Sequence, residues 1–109
     1  MDKEAAFFKV LADPTRLALA VLLAIKGETC VCHLAEAIDE SDFKVSRHLA
    51  IMRLSGVVEA RRNGTWMYYR LAKPKNRMEK CIQDCFRDCL VEHKTVQKSL
   101  KRLKQAKCV

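Results

Sequence analysis

The sequence is poor in the residues that build large rigid cores or flexible linkers. Aromatic residues make up 6% of the 109-residue chain, which contains three glycines and two prolines. Hydrophobic residues make up 50%, enough for the core of one domain of modest size. No Pro-, Gly- or Ser-rich linker and no internal repeat divides the chain. We therefore expect a single domain over residues 1–109, to which a dimer interface would add buried surface.

Long hydrophobic runs are also absent. The longest, residues 17–25, is too short to span a bilayer, and residues 1–6 lack the apolar segment of a signal peptide. Both absences predict a cytoplasmic protein with no membrane partner. We expect the six cysteines to remain reduced in that compartment, which favours metal binding or redox sensing over a disulfide framework.

Catalytic motifs are missing as well. The chain has no Cys-x-x-Cys pair, no phosphate-binding loop and no Ser/His/Asp or paired-carboxylate arrangement. We therefore predict that it is not an enzyme and requires no cofactor. A small thiol redox enzyme is kept as the minor alternative, which turnover of a disulfide substrate would support.

Acidic residues are outnumbered by basic ones, and one basic helix with two distinct faces is predicted over residues 42–55. The chain has 13 Asp and Glu against 21 Lys and Arg, and its formal net charge of +8 favours polyanionic partners or anionic membrane surfaces. At 100° per residue, one narrow arc of the helix holds the apolar residues Val45, Leu49 and Met52. The other side presents Phe43, Lys44 and Arg47. An outward Phe beside cations in the first turn favours a helix that enters a DNA groove.

Further helices are predicted on both sides of this one. Apolar residues at helical spacing predict helices over residues 3–12, 14–26 and 31–38, and Asp13-Pro14 favours the start of the second. Only residues 39–41 separate the third helix from the basic one, which is the spacing of a helix-turn-helix. After Pro74, heptad spacing predicts a single helix over about 77–107. Its apolar seam would be covered by a two-fold dimer through this helix and the first helix.

A change of hydrophobic period from 3.6 to 2 predicts a hairpin, or wing, over residues 57–71. Asn63-Gly64 is a favourable two-residue turn, which would place Arg62 opposite Thr65 and Arg61 opposite Trp66. The second pair predicts a cation–π contact. The predicted fold class is therefore mostly α with a small β-hairpin, a dimeric winged helix-turn-helix.

Four motifs, in order, resemble those of the ArsR/SmtB family of winged-helix repressors. They are Ala12-Asp13-Pro14-Thr15-Arg16-Leu17, Cys30-Val31-Cys32, Val45-Ser46-Arg47-His48-Leu49 and Gly64-Thr65-Trp66-Met67-Tyr68-Tyr69-Arg70-Leu71. The resemblance implies a homodimer that binds a palindromic double-stranded DNA operator and leaves it when an inducer binds. In close members of the family the inducer is As(III) or Sb(III), held by cysteines that begin the third helix.

The residue types suit the predicted contact with DNA independently of the resemblance. Arg47 can present its guanidinium group to guanine or phosphate, and Lys44 and Arg53 can neutralise phosphates. Phe43 offers only apolar contacts where many family members carry a polar residue, so we expect a different base preference. His48 is either a packed residue or a DNA contact. The predicted DNA-binding set is Phe43, Lys44, Ser46, Arg47, His48, Arg53, Arg61, Arg62 and Asn63.

Cys30 and Cys32 are the predicted inducer ligands. They lie at the start of the third helix, where the helix dipole favours the thiolate that binds soft ions. Residues i and i+2 of a regular helix point about 200° apart, so one ion joins these two only if the first turn is distorted or Cys30 lies in extended backbone. We expect binding to reshape that turn and tilt the third helix against the DNA-reading helix.

The third ligand stays open, because Ala35 stands where close family members carry a third cysteine. The candidates are Cys81, Cys85, Cys89 and Cys108. The first three are spaced at i, i+4 and i+8 on one side of the last helix. They are either small apolar residues beside the helix seam or a second soft-metal or redox site. Zinc is disfavoured, because structural zinc sites prefer Cys-x-x-Cys pairs or His partners and the last helix holds only His93. A sensor of Cd(II), Pb(II) or another soft metal ion, and a thiol switch read by oxidation or persulfide, are the alternatives to metalloid sensing.

Overall fold

The chain folds into six helices and one three-stranded antiparallel sheet, as the computed structural model of residues 1–108 shows. The helices are α1 (Asp2–Leu11), α2 (Pro14–Lys26), α3 (Val31–Ile38), α4 (Asp42–Leu54), α5 (Arg77–Cys89) and α6 (Lys94–Gln105). The strands are β1 (Thr29–Cys30), β2 (Val58–Asn63) and β3 (Trp66–Leu71), in the order β1-β3-β2. This architecture confirms the predicted winged helix-turn-helix, to which β1 adds an unpredicted third strand.

Helix α2 lies at the centre of the core because its sequence is apolar on most sides. Residues 19–23 are each at most 2% exposed, and the helix contacts the other five helices and β3. Asp13 caps it by accepting a hydrogen bond from the backbone N–H of Arg16 at 3.0 Å. Pro14 is the first residue of α2, where a backbone N–H would have no helical partner, so its absence costs no hydrogen bond. The other helices therefore pack around one well-defined rod.

Helices α3 and α4 form the helix-turn-helix. Asp39 ends α3 in a left-handed conformation (φ 58°), which Asp tolerates better than most residues. Ser41 then caps α4 by accepting a hydrogen bond from the backbone N–H of Lys44. The apolar arc of α4 is 0% exposed at all three predicted positions: Val45, Leu49 and Met52. The other face of α4 stays at the surface.

The wing pairs in a register two residues away from the predicted one. Asn63 lies opposite Trp66, so the turn residues are Gly64 and Thr65, and the predicted Asn63-Gly64 turn was wrong. A tight hairpin needs positive φ at its first turn residue, and Gly64 supplies it at 64°. A shift by two residues preserves which side chains share a face. Arg61 therefore keeps its face but lies opposite Tyr68 instead of Trp66.

The C-terminal region forms two helices, so the single helix predicted over 77–107 was wrong. The chain turns after Cys89, and His93 caps α6 by accepting a hydrogen bond on Nδ1 from the backbone N–H of Thr95 at 3.1 Å. The turn divides the heptad seam. α5 packs on α2 and α6 packs mainly on α3, so that Phe86 and Val96 join this chain's own core. One straight helix would have left half of that seam exposed.

Helix α6 lies along α3 in the opposite direction. Arg102 Nη2 is 3.1 Å from Asp39 Oδ1, beyond the C-terminal end of α3, and Cys108 reaches Cys32 in the first turn of α3. α6 and its extension therefore contact both ends of the first helix of the helix-turn-helix. Within residues 1–108, no helix combines the length and the apolar character that crossing a bilayer requires.

Candidate DNA-contacting surface and thiol site

The outer face of α4 presents a large apolar side chain among basic ones. Phe43 is 74% exposed, and the guanidinium carbon of Arg47 lies 5.9 Å from the centre of its ring. Lys44 Nζ is 3.4 Å from Glu40 Oε1, an exposed pair that costs little to open. Ser46 and Arg53 are also exposed on α4. The surface thus combines one exposed apolar ring with several exposed cations, the side chains expected of a face that contacts bases and phosphates.

His48 lies on the inner flank of α4, with a side chain 18% exposed. Its Nδ1 is 3.4 Å from Arg16 Nη1 and 3.9 Å from Asp13 Oδ2, at the start of α2. The hydrogen bond from the backbone N–H of Arg16, helped by the nearby His48 and Arg16 charges, holds the pKa of the Asp13 carboxyl below its usual range, although burial alone would raise it. Of the two alternatives for His48, this position matches the packed residue, which ties α4 to α2.

The basic side chains of the wing differ in their contacts, depending on how near they are to the turn. Arg62 and Asn63 are exposed beside the turn. Arg61 is bound to Glu28, with Nη2 2.6 Å from Oε1, and its guanidinium carbon is 5.0 Å from the Tyr68 ring centre. The hydrogen bond from Arg61 lowers the pKa of the Glu28 carboxyl and raises that of Arg61. Arg61 therefore holds the wing against the segment before β1.

Cys30 and Cys32 lie on one side of the chain because they have different backbone conformations. Cys30 is the N-cap of α3 and ends β1 with extended angles (φ −79°, ψ 155°), whereas Cys32 belongs to the first helical turn. One ion was expected to join these two cysteines only if the first turn is distorted or Cys30 lies in extended backbone. The structure meets the second of these conditions. Ligand atoms of Cys30, Cys32 and His33 all lie within 4.8 Å of one another. The extended backbone of Cys30 thus lets both sulfur atoms face one ion, and the expected reshaping of the first turn on binding stays a prediction.

Cys108 joins this group from the other end of the chain. Its sulfur adjoins that of Cys32, and the two Cα atoms are 6.2 Å apart. The two cysteines meet because α6 places residue 108 beside the start of α3, and the reduced state expected from cysteine usage stays a prediction. Among the described residues, the free cysteines are Cys30, Cys81, Cys85 and Cys89. We call Cys30, Cys32, His33 and Cys108 the α3 site.

The α3 site connects to each part of the DNA-contacting surface. Cys30 pairs with Tyr68 in the sheet, which continues into the wing. Cys32 begins α3, which leads through Asp39 to α4. Cys108 follows α6, whose Arg102 contacts Asp39. The α3 site is therefore connected, through these elements, to both α4 and the wing.

The remaining thiols lie apart from this site. Cys81, Cys85 and Cys89 are all exposed on α5. Within a single chain they are therefore not packed as apolar residues, which was one of the two interpretations of these cysteines. A hydrogen bond with Cys89, followed by burial and the charges of Cys89 and Asp88, raises the pKa of the Cys85 thiol. The structure thus brings Cys108 to Cys30 and Cys32 and leaves the other three candidates on α5 outside the site.

Three residues of these sites were missed by sequence reasoning. His33 follows Cys32 directly, and that adjacency could have marked it as a ligand once Cys30 was assigned to a strand. Glu28 and Arg102 each contact a residue that is distant in the sequence: Arg61 is 33 residues from Glu28, and Asp39, the partner of Arg102, lies just after α3. No local sequence pattern predicts such pairs.

Comparisons with known proteins agree with this architecture. A family model described as "Bacterial regulatory protein, arsR family" matches residues 13–60. The chain is 52% identical over 65 residues to the arsenical resistance operon repressor of Escherichia coli K12, covering 60% of this chain and 56% of that protein. It is 39% identical over 67 residues to the cadmium resistance transcriptional regulatory protein CadC homolog of Staphylococcus aureus, covering 62% and 55%. The chain thus spans little more than half the length of these relatives.

A solved structure resembles the chain over most of its length. It is the homodimeric winged helix-turn-helix DNA-binding domain from Mycobacterium bovis, with a TM-score of 0.66 and 35% sequence identity. The match covers 85% of this chain and 86% of that one. The relatives named here are transcriptional regulators or DNA-binding domains.

Proposed function

The chain belongs to the arsR family of bacterial regulatory proteins, and we propose that it is a homodimeric repressor which releases a palindromic DNA operator when As(III) or Sb(III) binds Cys30, Cys32 and Cys108. The cysteine cluster at the start of α3 is the observation that carries the proposal. Thiolates are the ligands that soft, thiophilic ions prefer. The arsenical repressor of Escherichia coli, at 52% identity, supports the metalloid as inducer. Operator binding places the proposed action in the cytoplasm.

Cys108 supplies the sulfur that Ala35 cannot. Ala35 is 2% exposed and has no ligand atom, so the local sequence of α3 offers two thiols. Cys108 meets Cys32 without any rearrangement of α3. Once the Cys32–Cys108 pair is reduced, three thiolates are available to one trivalent ion. In this chain the C-terminal segment therefore completes the inducer site.

Inducer binding acts on DNA affinity through the three connections of the α3 site. Drawing the sulfur atoms together moves the end of β1, the first turn of α3 and the segment after α6. β1 pairs with the wing strand β3, α3 braces α4, and α6 contacts the turn between them. A coupling free energy of about 1–3 kcal/mol is ordinary for such linked sites. That corresponds to a drop in operator affinity of roughly 5- to 150-fold.

DNA is read by the exposed side chains of α4 and the wing tip. The first turn of α4 enters the major groove, where Phe43 contacts a thymine methyl group and Arg47 a guanine or a phosphate. Lys44, Ser46 and Arg53 contact the backbone, as do Arg62 and Asn63 from the wing. Arg61 and His48 hold the reading elements in place through Glu28 and Asp13.

A two-fold dimer sets the spacing of the two α4 helices on a palindromic operator. The homodimeric domain from Mycobacterium bovis supports this assembly. We assign the interface to α1 and the C-terminal region, and within that region to α5, because α6 is packed against α3. Phe8, 47% exposed on α1, is an apolar residue that such an interface would cover.

The experiment is release of operator DNA by arsenite. An operator is selected from a random DNA pool, and binding is followed by fluorescence anisotropy with reduced protein. Wild type binds the operator and leaves it as arsenite is added. The Cys30→Ser/Cys32→Ser variant binds equally well and stays bound, whereas the matched control Cys81→Ser/Cys85→Ser responds as wild type does. Release of the Cys30→Ser/Cys32→Ser variant by arsenite would overturn the proposal.

The closeness of Cys32 and Cys108, whose Cα atoms are 6.2 Å apart, favours a second candidate, an operator release driven by oxidation of this pair to a disulfide. Two thiols then give two electrons and two protons to an oxidant such as hydrogen peroxide, which becomes two water molecules. Titrating the reduced repressor–operator complex with peroxide, arsenite, Cd(II) and Pb(II) separates the candidates. Peroxide sensing requires that Cys108→Ser abolish the peroxide response. A wild-type protein that peroxide does not release excludes it.

A further inference from the structure

We propose that lysine side chains of α6 bind the phosphate backbone of DNA beside the groove that α4 enters, as a second DNA-contacting surface in addition to α4 and the wing. This inference rests on the proposed DNA binding and is independent of the inducer. The surface is an open cleft of about 530 Å³ between the end of α2 and α6. We call it the lysine cleft, after its cations Lys26, Lys98, Lys101 and Lys104.

The positive charge of the chain is concentrated in α6 and the residues after it. Residues 93–109 contain six Lys and Arg and no Asp or Glu, so they carry +6 of the formal net charge of +8. At 100° per residue, the lysines of α6 share an arc of about 120°, and Val96 and Leu103 lie on the opposite side. All five lysines of the segment are exposed: Lys94, Lys98, Lys101, Lys104 and Lys107. The helix therefore has one face for the core and one face of positive charge.

This charge is not neutralised within the chain. Among the described residues, the lining of the lysine cleft contains four lysines and no carboxylate. On α5, by contrast, Lys80 Nζ lies 2.9 Å from Asp84 Oδ2. The lysines of α6 follow one another at intervals of three or four residues, a spacing at which like charges destabilise a helix. An anionic partner would remove this repulsion.

The position of α6 favours DNA as that partner. α6 packs along α3, and Arg102, which follows Lys101, contacts Asp39 in the turn before α4. Arg102 also borders a second cleft together with Ser41 and Asp42, where α4 begins. α6 is therefore next to the end of α4 that enters the groove in the proposed complex. DNA carries one negative charge per about 1.7 Å of its axis, so the edge of that groove offers several phosphates to a helix about 18 Å long.

An anionic membrane surface fits α6 less well. Helices that lie in a membrane surface bury an apolar face among the lipids. The apolar face of α6 is already covered, because Val96 belongs to the core and Leu100 and Leu103 pack against it. Charged and polar side chains are left for a partner, and these suffice for the phosphates of DNA.

Contacts of this kind change affinity without changing sequence preference. Lysine binds a phosphate as a point charge and reads no base. The lysine cleft therefore strengthens binding to the operator and to unrelated DNA by the same factor. Because lysine has a flexible four-carbon stem, its contacts follow small movements of α6. The arsenite response, as a ratio of two affinities, is expected to stay within about twofold when these lysines are replaced.

The test is the salt dependence of DNA binding by the full chain, measured by fluorescence anisotropy with reduced protein between about 50 and 200 mM salt. Lys98→Gln/Lys101→Gln removes two cations from each protomer and keeps the helix propensity, which is similar for Gln and Lys. The slope of log affinity against log salt is expected to become shallower by about 2 to 4 for a dimer, since each phosphate contact contributes about 0.9. The affinities for the operator and for unrelated DNA are expected to fall by the same factor.

The matched control is Lys73→Gln/Arg77→Gln, which removes the same charge from exposed positions beyond the end of β3, at the far end of the wing from its tip. The control is expected to keep the slope of wild type. If the two variants lose the same slope, net charge explains the effect and the inference is overturned.

The remaining outcomes separate this inference from the proposed function. An unchanged slope in Lys98→Gln/Lys101→Gln, or a loss of affinity for the operator alone, overturns the inference even if arsenite still releases DNA from wild type. Binding of wild type to phosphatidylglycerol vesicles that this variant loses, with its DNA binding unchanged, assigns the lysine cleft to a membrane surface and also overturns the inference. A slope that depends on these lysines, in a protein that arsenite does not release, supports the inference and contradicts the metalloid sensor.

Discussion

The cysteines of the α3 site come from three backbone settings: the end of a strand, the first turn of a helix and the segment after α6. The α5 cysteines, Cys81, Cys85 and Cys89, share one helix and are all exposed. By sequence alone the α5 group is the more regular, since its members repeat at helical spacing. The structure nevertheless gathers the irregular group around a single point.

Helix geometry explains the difference. Residues four apart on a helix lie about 6 Å apart, and residues eight apart are separated by about 12 Å of helical rise. Three thiols on one straight helix therefore offer an ion two of their sulfur atoms at most. Ligands from different elements approach from different directions, so they converge where the elements meet. Irregular spacing in the sequence is thus what a compact multi-ligand site requires.

The largest expected difference between the two groups concerns the third ligand for arsenite. Cys108→Ser is expected to weaken As(III) binding about 100-fold, because a direct ligand counts for at least as much as the outer partners, whose loss costs about 10- to 100-fold. X-ray absorption of the arsenite-bound protein is expected to count three sulfur neighbours in wild type and two in this variant. Cys85→Ser, the control from α5, is expected to keep three. Three neighbours in Cys108→Ser would show that the third thiolate comes from elsewhere.

Thiol labelling tests the same contrast by accessibility. In the reduced protein we expect those α5 cysteines that the dimer interface leaves exposed to react with iodoacetamide at least about tenfold faster than Cys30, which is 4% exposed and reacts only when the local structure opens. Arsenite is expected to protect the α3-site thiols and leave the α5 cysteines unprotected. Mass spectrometry of digested samples gives each rate. Protection of Cys85 by arsenite would show that α5 takes part in the site.

Much of the candidate DNA-contacting surface could be predicted, because it depends on local patterns. The period of 3.6 in α4 fixed which side chains face the core, and Asp13-Pro14 marked a helix start. The hairpin was predicted with its faces correct and its turn displaced, because Asn63-Gly64 and Gly64-Thr65 both fit a tight turn and pairing across the sheet decides between them. Register is a property of two strands together.

The α3 site could be predicted only in part, because its members meet through tertiary packing. Cys30 and Cys32 are neighbours in the sequence, but the extended backbone of Cys30 depends on pairing with Tyr68 in the wing. Cys108 was one of four candidates until the turn after Cys89 directed α6 along α3. The heptad pattern placed Phe86 and Val96 on an apolar seam correctly, whereas Cys89 and His93, which it placed there too, are exposed. It could not show that the seam folds back on its own chain.

A smaller effect distinguishes members within the α5 group. Because the pKa of the Cys85 thiol is raised by Cys89, Cys85 holds less thiolate than an ordinary exposed cysteine at neutral pH. Its alkylation is expected to lag behind that of Cys81 at pH 7 and to catch up as the pH rises above the raised pKa. Cys89→Ser is expected to reduce the lag, because it removes the neighbouring thiol whose hydrogen bond and charge raise the pKa of Cys85. Equal rates for Cys81 and Cys85 throughout would remove the distinction between them.

The smallest expected effect concerns the contact between α6 and the helix-turn-helix. This contact connects the α3 site, through α6, to the turn before α4, and the α5 group has no such contact. Arg102 and Asp39 are 39% and 76% exposed, so Arg102→Ala is expected to lower the free energy of unfolding by less than about 1 kcal/mol, measured by urea denaturation. Because the pair passes the position of α6 to the turn before α4, the arsenite-induced drop in operator affinity is expected to shrink severalfold. Lys101→Ala removes a neighbouring exposed charge of α6 and is expected to leave that drop unchanged. If both variants lose the same amount, net charge rather than the Arg102–Asp39 contact explains the effect.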